Sequence, residues 1–197
     1  MDRSSMVLTE DTSRNGFAMI MEELGLEPGT VLESKGETDP YVANWLHPKR
    51  IVHVQYVEEP RLGVRYVLFT CGDLAWFGRK LGARITWDGI DKLYDDAETA
   101  TTHDEGVDAI FRLTAGICTA RNLPARAAHI FSEYLAQEHW MTRRAAVQAV
   151  TYGGWPESLE ILEKVATEDS DERVREFANR QIPDVKKHLE SRQNDRQ

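Results

Sequence analysis

Cysteine is scarce in this chain: Cys71 and Cys118 are the only two in 197 residues, and neither has a close cysteine neighbour. No disulfide framework is implied, and a reducing, cytoplasmic compartment suits such a composition. Basic charge is also short, with 24 Lys and Arg against 33 Asp and Glu, a net −9 at pH 7. Nucleic acid and anionic membranes are captured by basic surface, so neither is an expected partner. No stretch approaches the ~18 unbroken apolar residues of a membrane span. The opening Met1-Asp2-Arg3-Ser4-Ser5 leads into no apolar signal region, so no secretion signal is expected.

The common catalytic signatures are missing too. Gly72, Gly78 and Gly82 have the wrong spacing for a phosphate loop or a dinucleotide fingerprint. His-Glu-x-x-His, Cys-x-x-Cys and Gly-x-Ser-x-Gly do not occur. The six histidines, His47, His53, His103, His129, His139 and His188, are scattered. His129 and His139 share a helical face but would stand ~15 Å apart along the axis, too far to chelate one ion. Neither a metal nor a cofactor is expected.

What remains is an ordinary globular composition, 41% hydrophobic and 29% charged. A chain of this length makes one large domain or two small ones and buries about 70% of its unfolded surface. Residues 1–14 are polar and read as a frayed end. A helix follows, with Phe17, Ile20, Met21 and Leu24 at 3.6 spacing, stopped at Gly25. Thr30–Glu33 reads as a short strand and Ser34–Pro40 as a loop. Arg50–Val57 alternates, Val64–Cys71 is rich in β-branched and aromatic residues, and together they predict an antiparallel hairpin. Asp73 caps a short predicted helix carrying Leu74, Phe77 and Leu81 on one side, and Ile85–Trp87 reads as a further strand. The acidic stretch from Asp95 to Gly106 reads as the connector between two halves.

Beyond that connector the chain repeats at a spacing of 32. Thr114 aligns with Ala146 and Ala178, Cys118 with Val150 and Ile182, Pro124 with Pro156, and Arg143 with Arg175. Small residues let two helices approach closely. Proline suits the first position of a helix, where its missing N–H has no intrahelical partner to lose. Pro156–Thr167 places Leu159, Leu162, Val165 and Ala166 on one stripe, leaving Glu157, Glu160, Glu163 and Lys164 largely outside it. Asp169-Ser170-Asp171 can cap the helix that follows.

Met141–Ile182 thereby resembles HEAT repeats of the small bacterial type, also called PBS-lyase-like repeats. The shared pattern is a Val-Arg pair, alanines, a turn ending in proline, a leucine-rich second helix and an acidic link, here Glu168-Asp169-Ser170-Asp171. The turn departs from the usual Gly-Asp-Pro by carrying Gly-Gly-Trp-Pro, and Pro183 is out of register. The resemblance weakens over Val107–Gln137 and is absent from residues 1–105. It implies a stack of helix pairs used as a binding surface, and a pairing of Arg143 with Asp169 or Asp171.

Few residues then stand out as candidates. Cys71 is the best single catalytic one, since a thiol at a helix N-terminus can act as a nucleophile. The plainer reading is a small buried residue at a strand end, with no histidine near in sequence to serve as base. Asp95, Asp96, Asp104 and Glu105 could contact a basic partner, but they lack the alternation of a calcium loop. Of five tryptophans, each of which reads first as core packing, Trp140 and Trp155 flank one helix of the repeat and are candidate contacts with Glu157 and Glu160. Arg143-Arg144 beside Trp140 could touch nucleic acid.

The expected fold is α+β: a small antiparallel sheet with helices over 1–105, then a short HEAT-like helical solenoid of three helix pairs over 106–197. The leading functional reading is a non-catalytic acidic module that binds a basic protein, in its most concrete form an immunity protein or inhibitor. A small enzyme centred on Cys71 and a nucleic-acid-binding HEAT protein are the alternatives.

Overall fold

The computed structural model describes residues 2–9 and 12–194. The fold is α+β, with an antiparallel sheet in the first half and a run of helices in the second. The chain divides into two compact units after Ile90, not after residue 105.

In the first unit the strands are β1 (Asp2–Leu8), β2 (Glu27–Leu32), β3 (Tyr41–Leu46), β4 (Val52–Glu59), β5 (Val64–Cys71) and β6 (Trp87–Asp88). Two helices, α1 (Arg14–Glu23) and α2 (Leu74–Gly82), complete it. The strand order is β2-β3-β4-β5-β1-β6 and every pairing is antiparallel. The predicted hairpin is β4–β5, closed at Gly63, whose φ of 64° is a conformation glycine adopts without a Cβ clash. Residues 2–8 are not frayed: β1 lies inside the sheet, paired with β5 on one side and β6 on the other. Local polarity misled the reading there, because strand identity comes from partners far along the chain. β3 was not predicted at all, although Ala43 and Trp45 alternate inward from it.

Ser13 Oγ accepts the Gly16 N–H at 3.1 Å to start α1, and Asp73 Oδ1 accepts the Trp76 N–H at 2.8 Å to start α2. Both helices cover one face of the sheet. Phe17 packs its ring 5.4 Å from Trp45 and 5.1 Å from Tyr56, and Phe77 packs 5.5 Å from Phe69. Met6, Leu8, Val54, Met21 and Leu81 fill the same core. Each large side chain buried there contributes about 1.5–3 kcal/mol. The Leu74 side chain lies outside the described ones.

The second unit contains, among the described residues, α3 (Ile90–Thr99), α4 (His103–Ile117), α5 (Ala125–Leu135), α6 (Trp140–Gly153), α7 (Pro156–Glu168) and α8 (Glu172–Asn194). α6 is central and touches α4, α5, α7 and α8. Thr114, Ala146 and Ala178, the residues spaced by 32, are all fully buried along the row α4, α6, α8. Three helix pairs were expected. α4 with α5 and α6 with α7 supply two in sequence, and the third is replaced by the single long α8, which runs through Pro183.

The Gly-Gly-Trp-Pro turn between α6 and α7 has a steric reason. Gly154 takes φ 55° and ends α6 in the left-handed region. Trp155 folds its ring over Gly153, where a Cβ would lie 2.1 Å from ring carbons. Ser158 Oγ locks the turn, donating to the Val150 carbonyl at 2.8 Å and accepting the Trp155 N–H at 3.1 Å.

Candidate functional site

The acidic stretch predicted as a connector is the corner between α3 and α4. Thr102-x-x-Glu105 is a capping box: Thr102 Oγ1 accepts the Glu105 N–H at 3.3 Å, and Glu105 Oε2 accepts the Thr102 N–H at 3.1 Å. Glu105 also takes the Thr101 N–H and hydroxyl. These bonds, the Thr101 N–H foremost, hold its carboxyl below the ordinary glutamate range. The sequence signal for this helix start was present, but the density of acids around it made it read as loop.

The corner's acids do different work. Asp95 and Glu98 clamp the Arg126 guanidinium, each at 2.8 Å, and that guanidinium lies 4.6 Å over the Tyr94 ring. Asp96 pairs with Lys92 one turn away. Asp104 and Asp108 are exposed on α4. Asp96, Glu105 and Asp108, with Thr99 and Thr101, surround an open cavity of about 400 Å³ that no Lys or Arg lines. Seven acids and one lysine occupy residues 91–108. The sequence therefore located the acidic surface but misjudged its support: Asp95, Asp96 and Glu105 are anchored by internal partners.

A second cavity, of about 260 Å³, opens on the other side of the same turn, sharing Ala100 and Thr101 with the first. Its lining includes His103, at the first residue of α4, and His139, the N-cap of α6. The two rings meet at 4.6 Å between centroids with their planes 61° apart. His103 Nδ1 lies 2.7 Å from Thr142 Oγ1, and the Tyr134 hydroxyl donates to the Ala97 carbonyl at 2.9 Å. Gly106 is required beside them, since a Cβ there would sit 2.9 Å from the Tyr134 ring. In sequence these histidines are 36 apart and looked scattered. Only the alignment of two helix starts brings them together. Among the described residues no group of three His, Cys, Asp or Glu side chains is placed to hold a metal ion.

The remaining candidates separate by burial. Trp155 is fully buried 5.9 Å from Phe131, so it is a core residue and offers no surface to a partner. Trp140 is half-buried with Arg173 stacked 3.8 Å over its ring. Glu157 accepts the Leu123 N–H at 3.1 Å and so ties the start of α7 to the turn before α5, while Glu160 is exposed. Arg143 is 7% exposed. It grips both Asp169 oxygens at 2.8 and 2.9 Å and donates to the carbonyls of Gln137 and Glu138. That engagement leaves it no free edge for a phosphate. Arg175, its equivalent one repeat later, donates to the Asp169 carbonyl at 2.6 Å. Arg144 lies 4.4 Å over the Phe177 ring.

Cys71 closes β5 with its side chain in the core, 3% exposed, directly opposite Val52. The neighbouring register pair is His53 with Thr70. Successive residues point to opposite faces of a strand, so His53 faces away from the thiol and cannot act as its base. His53 instead meets Asn44 Oδ1 at 3.1 Å, and burial, followed by the Arg3 charge, holds its pKa below the ordinary value. Cys71 is thus a small buried residue at a strand end, and it also lines an open cavity of about 410 Å³ with Arg50, Asp73 and Trp76.

Among the described residues no helix is long and apolar enough to cross a membrane. Comparison with protein-family models, with curated proteins and with solved structures finds no match for this chain.

Proposed function

We propose that the chain is a non-catalytic binding module whose helical unit engages a basic protein at the α3–α4 corner. The supporting observation is the cavity of about 400 Å³ ringed by Asp96, Glu105 and Asp108 with no cation in its lining. Three of the acids nearby are held in place by Arg126, Lys92 and the capping box, so the negative surface is preorganised and little side-chain entropy is lost on contact. A negative patch of this kind speeds capture of a positive partner and loses strength with salt. The row of helices with its 32-residue spacing is read as a HEAT-type scaffold, and the concrete form of the function as an inhibitor that covers the substrate groove of a basic enzyme or toxin.

The test compares the full chain with an Asp104→Lys, Asp108→Lys variant as baits in the source lysate, washed at low and high salt. Both substituted residues are exposed, and circular dichroism checks that the variant folds. The expected result is one stoichiometric basic protein on the parent, weakened by salt and lost from the variant. Equal retention by both baits, or none by either, overturns the reading.

A further inference from the structure

We propose that His103 and His139 form a two-imidazole site for a divalent transition-metal ion, with water completing the coordination. Imidazole nitrogen binds first-row ions at ~2.0–2.1 Å, which puts each ring centroid ~3.2 Å from the ion. Centroids 4.6 Å apart then subtend an angle of about 90° at the ion. That is the cis angle of square-planar or octahedral sites, narrower than a tetrahedral zinc site asks for. With both ring nitrogens turned to one ion, that spacing suits Cu²⁺ or Ni²⁺ better than Zn²⁺, the preference that nitrogen ligands give to Cu²⁺ in any case.

Three further features suit a cation. Thr142 Oγ1 lies 2.7 Å from His103 Nδ1 and orients the ring; in the tautomer whose Nδ1–H donates to it, Nε2 is the available ligand, as with a hydrogen-bonded partner in metal sites. The cavity of about 260 Å³ has room for the ion and its waters. Glu133 and Glu98, the latter shared with Arg126, line it and no Lys or Arg does, which suits a cation beside the positive ends of α4 and α6. The pair owes nothing to the acidic cavity across the turn, so the site stands or falls independently of partner binding.

The experiment is Cu²⁺ and Ni²⁺ titration of the full, tag-free chain by calorimetry, with electron paramagnetic resonance of the copper form. One ion per chain is expected, with two nitrogen ligands in the copper spectrum. His103→Ala and His139→Ala should each weaken binding about tenfold or more and leave one nitrogen. Thr142→Val, which keeps both imidazoles, should weaken it less and retain the two-nitrogen spectrum. His129→Ala is the control and should change nothing, and circular dichroism confirms that each variant is folded. Absence of binding in the parent overturns the proposal. So does binding that survives loss of either His103 or His139, or Zn²⁺ held more tightly than Cu²⁺.

Discussion

The two units hold themselves together by contacts of different reach. In the sheet unit β2 to β5 pair in succession, but completing the sheet takes distant partners: β1 pairs Val7 with Tyr66, and Phe17 packs between Trp45 and Tyr56. In the helical unit the chain mostly meets what it has just passed, and α6 packs on the helices immediately around it. The same contrast appears in their ion pairs. Arg143–Asp169 is buried, with 9% and 6% of the side chains exposed, and ties the α5–α6 and α7–α8 turns to α6. Arg14–Glu58, in the sheet unit, leaves 48% and 26% exposed beside Tyr41 and Tyr56. Non-local order makes a unit depend on every strand, whereas local order concentrates the dependence on a few buried polar anchors.

The sharpest way to break that comparison is to remove residues 1–9. Losing β1 strips partners from both β5 and β6, and the sheet unit is expected not to fold. The helical unit should survive, leaving helical circular dichroism and a cooperative transition. Loss of all cooperative unfolding would show that the helices depend on the sheet.

Next in size is Arg143→Met, which leaves Asp169 buried without its cation and should cost about 3–5 kcal/mol in denaturant unfolding of the helical unit. Arg14→Met in the sheet unit should cost less than about 1 kcal/mol, as surface pairs do. Equal losses would contradict the assignment of buried and exposed anchors.

The Arg143 pair also has a pH signature. Burial pushes the Asp169 carboxyl up, but bonds from the Arg143 guanidinium and the Asp171 N–H outweigh it and hold it below its ordinary value. A group lowered in the folded state stabilises fully above its unfolded pKa, about 3.9 for Asp, and loses that contribution as pH falls through the lower folded value. The parent should therefore lose helical stability below about pH 4 more steeply than Asp169→Asn does. Parallel acid curves would place the effect elsewhere.

A smaller effect is expected at the acidic corner. Thr102→Ala removes the hydroxyl that caps α4 and should destabilise by about 1 kcal/mol, seen as faster amide exchange in the first turn of α4. Smallest of all is the outcome at Cys71, where alkylation of the native chain should be slow at neutral pH and become fast only on unfolding. Rapid native modification would mean that the end of β5 opens.

What was legible follows the range of the forces involved. The helix over α1, the β4–β5 hairpin, the cap at Asp73, the capping run that ends in Asp171, and the 32-residue spacing could all be read, because each is written within a few residues or repeats itself. The resemblance to HEAT repeats pointed Arg143 to Asp169 or Asp171, and Asp169 is the partner it grips. β1 was read as a loose end because Arg3-Ser4-Ser5 carries no apolar alternation, and its strand state is imposed by β5 and β6. Trp155 was named as a candidate contact beside the reading of core packing, because nothing in its neighbours says that Gly153 and Gly154 clear a path for its ring into the core. The corner acids were visible as charge, but not as groups fixed by Arg126 from another helix.

The sequence by itself determined the α+β class, the acidic balance and the local rhythm of the helices, since these depend on composition and on periodicities of a few residues. Tertiary structure alone decided that β1 is interior, that Cys71 and His53 face opposite ways, and that His103 and His139 share a cavity. Those facts rest on which distant segments pair, and pairing is settled by the packing of the whole unit.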